Sequence, residues 1–306
     1  MHKLEKIVAV FALAAVLALT LGFAQAARPG KHAAARHADA QAEAAAERMQ
    51  REQPDKVFLR STVALVQDAS SGETILVKNA GAVLPIASIT KLMTAMVLLD
   101  GKLNLAQRVA VSGEDQDALK GTRSRLRPGA VLTRDELLLL ALMASENRAA
   151  AALARTYPGG TERFVHTMNV KAQMLGMQDT RFSDPTGLSS ANVSSAQDLA
   201  RLVSAAHEYP VIRQYSTRDS ATVYALGRPL AYRNTNGLVR SSNWEIGLSK
   251  TGFISEAGRC LVMRVRVASK DLVVVLLDSW GKYSRIGDAN RIRKWLETSA
   301  AAGPRS

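Results

Sequence analysis

Apolar and polar positions along the chain change period three times. From Lys56 to Gln67, Lys-Val-Phe-Leu-Arg-Ser-Thr-Val-Ala-Leu-Val-Gln is rich in β-branched and aromatic residues and predicts a strand. Asp68 to Gly72 reads as a turn and Thr74 to Lys78 as a second strand, which makes an N-terminal hairpin. Beyond Pro85 the spacing turns helical, with an apolar run from Ser88 to about Asp100. Gly101 to Gly129 holds only short strand-like and loop pieces. Thr133 and Glu136 have the spacing of a capping box, ahead of a helix over Leu137 to Met143. Ala144-Ser145-Glu146-Asn147 interrupts it, and helices follow over Arg148 to Arg155 and Thr161 to Leu175. A long loop, Thr180 to Asn192, leads to a helix over Ala196 to Glu208, capped by Ser194 or Ser195 and with Asp198 in its first turn.

The last third returns to strands. Ala221 to Leu226, Ile246 to Phe253, Arg259 to Ala268 and Leu272 to Leu277 are separated by turns at Asn234-Thr235-Asn236-Gly237 and Ser255-Glu256-Ala257-Gly258. Trp280 to Ser284 is a loop before a terminal helix, Ile286 to Thr298. The order is strand pair, helical block, strand meander, helix. It predicts an α/β (α+β) fold in which both chain ends complete one antiparallel sheet and a helical subdomain is inserted between them. The folded domain is expected over 56–299, with a tail at 300–306.

The N-terminal segment has another character. Lys3 and Lys6 precede an apolar run, Ile7 to Phe23, and Ala24-Gln25-Ala26 is a small-x-small cleavage site. This is the pattern of a secretory signal peptide over 1–26, which directs the chain to the periplasm. The alternative, an uncleaved anchor, fits less well because the run is short for a membrane span. Residues 27–55 are rich in Ala with interspersed Arg, His, Glu and Gln. They read as a disordered leader or tether, with Ala40 to Gln50 able to be locally helical but without a clear apolar face; a weak interaction helix is the less favoured alternative.

Charge sits in the body. Residues 1–55 hold seven Lys/Arg and six Asp/Glu, a net of +1, so +12 of the chain's +13 falls after them. A basic exported body suits polyanionic surroundings such as envelope polymers, lipid head groups or acidic wall peptides. Nucleic acid is disfavoured: no zinc-finger spacing, aromatic RNA-binding motif or basic-helix array is present. The basic cluster Arg123, Arg125 and Arg127 is either a solvated face or a rim that meets an acidic substrate. Cys260, the single cysteine, lies in an apolar run and reads as a small buried hydrophobe. The histidines, His2, His32, His37, His166 and His207, form no metal-ligand spacing, and we expect neither metal nor cofactor.

Three short motifs stand in order through the body: Ser88-x-x-Lys91, Ser145-Glu146-Asn147 and Lys250-Thr251-Gly252. Helical residues at i and i+3 share a face, so the Lys91 amine can reach the Ser88 hydroxyl. A hydroxyl at its free pKa is a weak nucleophile and needs an adjacent base. A lysine serves as that base when desolvation or neighbouring positive charge holds part of it neutral. Ser145, in a tight link between helices, can relay a proton to a leaving group. The Asn147 amide can accept from Lys91 and donate to a substrate carbonyl. Lys250 brings a second positive charge and draws a carboxylate, Thr251 adds a hydroxyl donor, and Gly252 permits close approach at a strand edge. An oxyanion would be held by the N–H groups of Ser88 and Phe253. Singly, Ser88 and Ser145 could be helix caps and Lys250 a surface charge. Three such motifs in this order, each in a fitting element, are a specific signal.

On these motifs the chain resembles the penicillin-recognising serine D-Ala-D-Ala peptidases, the low-molecular-mass penicillin-binding proteins. The likeness runs from about Val57 to Glu297 and includes Asp184-Pro185-Thr186-Gly187-Leu188, Asn234-Thr235-Asn236-Gly237-Leu238 and Lys250 to Cys260. It implies a β-lactamase/transpeptidase-like fold and an acyl-enzyme on Ser88. The implied substrates are peptidoglycan stem peptides or their D-Ala-diaminopimelate cross-links, with β-lactams as covalent inhibitors. It also implies an arginine for the terminal carboxylate, best matched by Arg285. The sequence ends one helix after its last strand, with no stretch like the second all-β domain and amphipathic anchor of many carboxypeptidase members. Phe253 stands where many of those members have His. Both features resemble the D-alanyl-D-alanine endopeptidase branch, the penicillin-binding protein 7 type, so endopeptidase is preferred over carboxypeptidase. A class A β-lactamase would need a Glu in the Thr180–Asn192 loop and Ser-Asp-Asn at the second motif, and neither is present. A catalytically silent wall-binding protein would not need intact motifs. An α/β-hydrolase would need a G-x-S-x-G elbow, which is missing. Peripheral contact with the membrane or with other wall enzymes stays open.

Overall fold

A computed structural model describes residues 31–53 and 56–301. The signal peptide expected at 1–26 and the end of the tail lie outside these residues. Within the Ala-rich segment, Lys31–Glu52 forms a 22-residue helix, α1, longer than the local helix expected over Ala40 to Gln50. Alanine loses no side-chain freedom in a helix, and Arg48 pairs with Glu52 at 2.8 Å one turn on. Contacts divide the chain into a unit ending at Ala42 and one starting at Glu43, and the site lies wholly in the second. Among the described residues no helix is long and apolar enough to cross a membrane.

The second unit is built on β1 (Ser61–Asp68), β2 (Thr74–Lys78), β9 (Glu245–Ile254), β10 (Gly258–Val267) and β11 (Lys270–Ser279). They form one antiparallel sheet in the order β2-β1-β11-β10-β9, with Val63 opposite Leu277 and Val262 opposite Val275. Strands from opposite chain ends are therefore neighbours, and β9 is an edge. Apolar residues run continuously through β11 because both faces are covered. Val273, Val275 and Leu277 face the helical core. Leu272, Val274 and Leu276 face a second core shared with the terminal helix α8 (Ser284–Ala301).

Between the sheet halves come α2 (Lys91–Asp100), α3 (Arg134–Met143), α4 (Asn147–Arg155), α5 (Gly160–Met174), α6 (Ala196–His207) and α7 (Pro210–Ser216). Three short strand pairs accompany them: β3 (Leu84–Pro85) with β6 (Val193–Ser194), β4 (Arg108–Ala110) with β5 (Val131–Thr133), and β7 (Ser220–Ala225) with β8 (Arg228–Arg233). Every residue of α2 from Lys91 to Leu98 is buried, as expected of a helix apolar on all sides. The Thr133 capping box forms, with Thr133 Oγ1 accepting from Glu136 N–H at 3.1 Å and Glu136 accepting from Thr133 N–H at 2.8 Å. Ser195 caps α6, accepting from Asp198 N–H at 3.2 Å, while Ser194 pairs with Thr180.

Further elements differ from the sequence reading. β1 starts at Ser61 rather than Lys56, where its partner β11 ends at Ser279. β8 was unforeseen; Leu226 and Gly227 turn with φ of 52° and 73°, and only Leu230 and Tyr232 point inward. α7 is seven residues long, too short to show a period.

Asp288 of α8, fully buried, joins the chain ends. It accepts from Arg60 N–H at 3.0 Å, Ser61 N–H at 2.7 Å, Ser61 Oγ at 2.5 Å and the Arg291 guanidinium at 2.5 Å. Asp288→Ala removes a buried charge acceptor from all four, and urea unfolding should show a loss of about 3 kcal/mol.

Candidate active site

Ser88 lies in a 3-10 turn, Ala87–Thr90, that leads into α2. It is not a cap: Ile86 holds the cap position, with no side-chain hydrogen bond. Ala87 has φ of 48°, a left-handed conformation that costs a non-glycine residue of order 1–3 kcal/mol and persists only where surroundings enforce it. Two glycines enforce it. A Cβ on Gly252 of β9 would lie 2.9 Å from Ile86 O and 3.2 Å from Ser88 N. A Cβ on Gly187 would lie 2.0 Å from Ala87 O, and Gly187 itself has φ of 81°. The Ala87–Ser88 turn is thus pressed between a sheet edge and a loop, at distances only glycine allows.

Lys91 is completely buried. Its Nζ lies 2.8 Å from Ser88 Oγ, 2.7 Å from Asn147 Oδ1 and 2.6 Å from Thr186 O. Burial pushes its pKa down to about 7, against the opposing pull of Asp184 and Glu146. That displacement is worth about 5 kcal/mol against the charged form. Asn147 Oδ1 and Thr186 O can only accept. In the neutral amine they take its two hydrogens, which leaves the lone pair for the Ser88 hydroxyl.

The α3–α4 link brings up the second motif. Ser145 has φ of 57°, and the N-cap of α4 is Glu146, so Ser145 is not the cap. Among the described residues its hydroxyl makes no hydrogen bond to Lys91 or Ser88. Asn147 opens α4, accepts from Lys91, and donates from Nδ2 to Thr122 Oγ1 at 3.1 Å.

Sequence reasoning missed how the loop after α5 supports the site. Asp184 Oδ1 accepts from Thr186 N–H at 2.6 Å and Gly187 N–H at 2.8 Å, and Oδ2 from Ser189 N–H at 3.0 Å. Asn192 accepts from Ser183 and Asp184 N–H groups and donates to Thr90 Oγ1 at 3.0 Å. Thr94 Oγ1 donates to Pro185 O at 2.6 Å. This network aims the Thr186 carbonyl at Lys91. The sequence signal for it is the family-like stretch Asp184 to Leu188, which by itself points to no contact.

Lys250 is buried, not a surface charge. Its pKa is held well below the usual lysine range by burial first, then by Lys91 and Arg285. Its Nζ donates to Thr251 O at 3.1 Å. The Thr251 hydroxyl donates to Thr235 Oγ1 at 2.6 Å. Arg285 Nη1 donates to Gly252 O at 2.7 Å and Cys260 O at 3.0 Å, so part of this guanidinium holds the β9–β10 backbone. Burial, then Arg259, lowers its pKa to about 10. Phe253 is exposed, with the Arg259 guanidinium 4.6 Å over its ring. The Arg123–Arg127 cluster divides: Arg125 stacks 4.0 Å over Tyr232 and donates to Ala231 O, while Arg123 and Arg127 are exposed. Cys260 is buried, its thiol pushed up to about 11 by burial.

Solved structures with this architecture define the class. The Streptomyces K15 DD-transpeptidase superposes with a TM-score of 0.73 at 27% identity, covering 79% of this chain and 99% of that one. This is a penicillin-binding peptidase fold. The chain belongs to the D-alanyl-D-alanine carboxypeptidase family, whose sequence profile matches residues 48–280. Among curated relatives, a D-alanyl-D-alanine endopeptidase of Pseudomonas aeruginosa is 50% identical over 243 residues, 78% of each chain. A D-alanyl-D-alanine endopeptidase of Escherichia coli K12 is 48% identical over 242 residues, again 78% of each.

Gly187→Ala tests the clamp on the nucleophile turn. A misplacement on the ångström scale should slow covalent labelling by fluorescent penicillin about 100-fold, while the far-ultraviolet circular dichroism stays that of the wild type.

Proposed function

We propose that the protein is a serine D-Ala-D-Ala endopeptidase of peptidoglycan, acting on D-Ala-diaminopimelate cross-links through an acyl-enzyme on Ser88. The observation that carries this reading is the buried amine of Lys91, 2.8 Å from Ser88 Oγ and held by two pure acceptors. Lys91 takes the hydroxyl proton as Ser88 Oγ bonds to the D-Ala carbonyl carbon. The C–N bond then breaks, and the proton passes through the Ser145 hydroxyl to the leaving amine. Water next attacks the ester and frees Ser88. Among the described residues the Ser145 hydroxyl has no hydrogen-bond partner at the site, which leaves it able to turn for this relay. The Ser88 and Phe253 N–H groups hold the oxyanion, and Asn147 steadies the substrate amide.

Lys250, Thr251 and Arg285 receive a carboxylate. Buried Lys250 has one carbonyl partner among the described residues, and an arriving anion would offset the desolvation that disfavours its charged form. Gly252 leaves the β9 edge open for an extended peptide. Preference for the cross-link rests on the 50% and 48% identical relatives named endopeptidases and on Phe253 after the third motif. The cationic subsite also favours a second reading, removal of a terminal D-Ala. β-Lactams would acylate Ser88 in place of substrate. The N-terminal pattern supports export to the periplasm, where the basic surface meets wall polymer or membrane.

Muropeptide monomers and dimers, with products identified by mass, decide between the readings. Conversion of dimers to monomers is expected, and loss of D-Ala from monomers alone would identify a carboxypeptidase. Ser88→Ala should abolish penicillin labelling, and Lys91→Ala should slow it about 100-fold or more. The neutral amine is the base, and it is lost as pH falls. Labelling should therefore slow about tenfold per pH unit below about 7.

A further inference from the structure

Outside the three motifs, the loop Asp117–Thr122 reaches the site from the opposite lip. We propose that Thr122 is a positioning residue for the reaction: its hydrogen-bond chain to Asp117 locks the Asn147 amide with the carbonyl oxygen pointed at Lys91. The proposal rests on the acyl-transfer reading above.

An asparagine amide can flip with almost no change of shape, exchanging its acceptor for two donors. Something must decide which end faces Lys91. Thr122 Oγ1 lies 3.1 Å from Asn147 Nδ2 and 2.7 Å from Asp117 Oδ2. A carboxylate only accepts, so the Thr122 hydrogen is committed to Asp117. Toward Asn147 the threonine oxygen can then only accept, and the neighbouring amide end must be NH2. The carbonyl end is left for Lys91, at 2.7 Å. Polarity thus runs one way, from Lys91 through Asn147 and Thr122 to Asp117.

Asp117 is itself fixed. Its Oδ1 accepts from Leu119 N–H at 2.8 Å and Lys120 N–H at 2.9 Å, and its Oδ2 from Thr122 N–H at 2.8 Å. The loop is also tied across to the β9–β10 turn by an ion pair between Lys120 and Glu256. Thr122 itself is exposed, so its hydroxyl is not required for core packing.

The flipped amide would act differently on Lys91. An NH2 aimed at Nζ would donate into the amine's lone pair and compete with the Ser88 hydroxyl. It would also deprive the ammonium form of one of three acceptors. The other charges facing Lys91 are Asp184, Glu146 and Lys250, and none of them would change.

The test is the rate of covalent labelling of the full chain by fluorescent penicillin, at pH values on both sides of about 7. Thr122→Val removes the hydroxyl with little change in shape. It should label about tenfold more slowly, the rate equivalent of one hydrogen bond. Its acidic limb should move to lower pH, because the ammonium has lost an acceptor. Thr122→Ser should restore both rate and limb. A Thr122→Val protein with the wild-type rate would overturn the proposal. So would slow labelling with an unmoved limb, or a Thr122→Ser protein as slow as the valine variant. Labelling of Ser88→Ala at the wild-type rate would overturn the acyl-enzyme reading itself, and this inference with it.

Discussion

A primary amine without water is the constraint on which the rest of this structure depends. Lys91 takes one oxygen each from the 3-10 turn before α2, the first residue of α4 and the loop before β6. An isolated buried ammonium costs several kcal/mol. The protein offsets this by supplying three partners and by letting the group lose its proton near neutral pH. The same desolvation that endangers the fold makes the amine a usable base. A surface lysine in the same motif would stay protonated and could not accept from a serine.

The surrounding architecture reads as the means of keeping that geometry. The Ala87–Ser88 turn is left-handed at Ala87, a conformation the backbone would relax if space allowed. Gly252 closes on it from the sheet and Gly187 from the loop. Asp184 and Asn192 stiffen that loop from within, and Thr94 of α2 bonds to its Pro185 carbonyl. On the far side, Asp288 binds the terminal helix to the start of β1, so both chain ends stabilise the sheet whose edge is β9. Strain at Ala87 is held by close packing from two separate stretches of sequence, β9 and the loop before β6.

Electrostatics sorts the two lysines by role. Both are buried, and both have lowered pKa values for the same first reason, desolvation. They differ in partners. Lys91 has three oxygens and two nearby carboxylates, which limit its shift. Lys250 has one carbonyl and two cationic neighbours, which deepen it. The first arrangement suits proton transfer. The second would be eased by an arriving anion, as the proposed carboxylate subsite requires.

Much of this was legible in the sequence by itself. Helix α2 showed in the apolar run after Ser88, α3 in the Thr133–Glu136 capping box, and the sheet in strand-like stretches at both chain ends, because these signals are local. The three motifs were legible for the same reason, since each lies within four residues. What the sequence could not decide is what crosses between elements. Nothing near Thr186 predicts that its carbonyl reaches Lys91, because that contact joins residues 95 positions apart. Thr122 carries no motif, and Arg285, placed by spacing, turns one nitrogen to the backbone of β9 and β10. Over 31–52, Ala-rich composition fits both a tether and a helix, so the extent of α1 was not legible from sequence. Local propensity and periodicity set which elements form; only tertiary packing set which oxygens surround the amine, and so which lysine lies against the Ser88 hydroxyl.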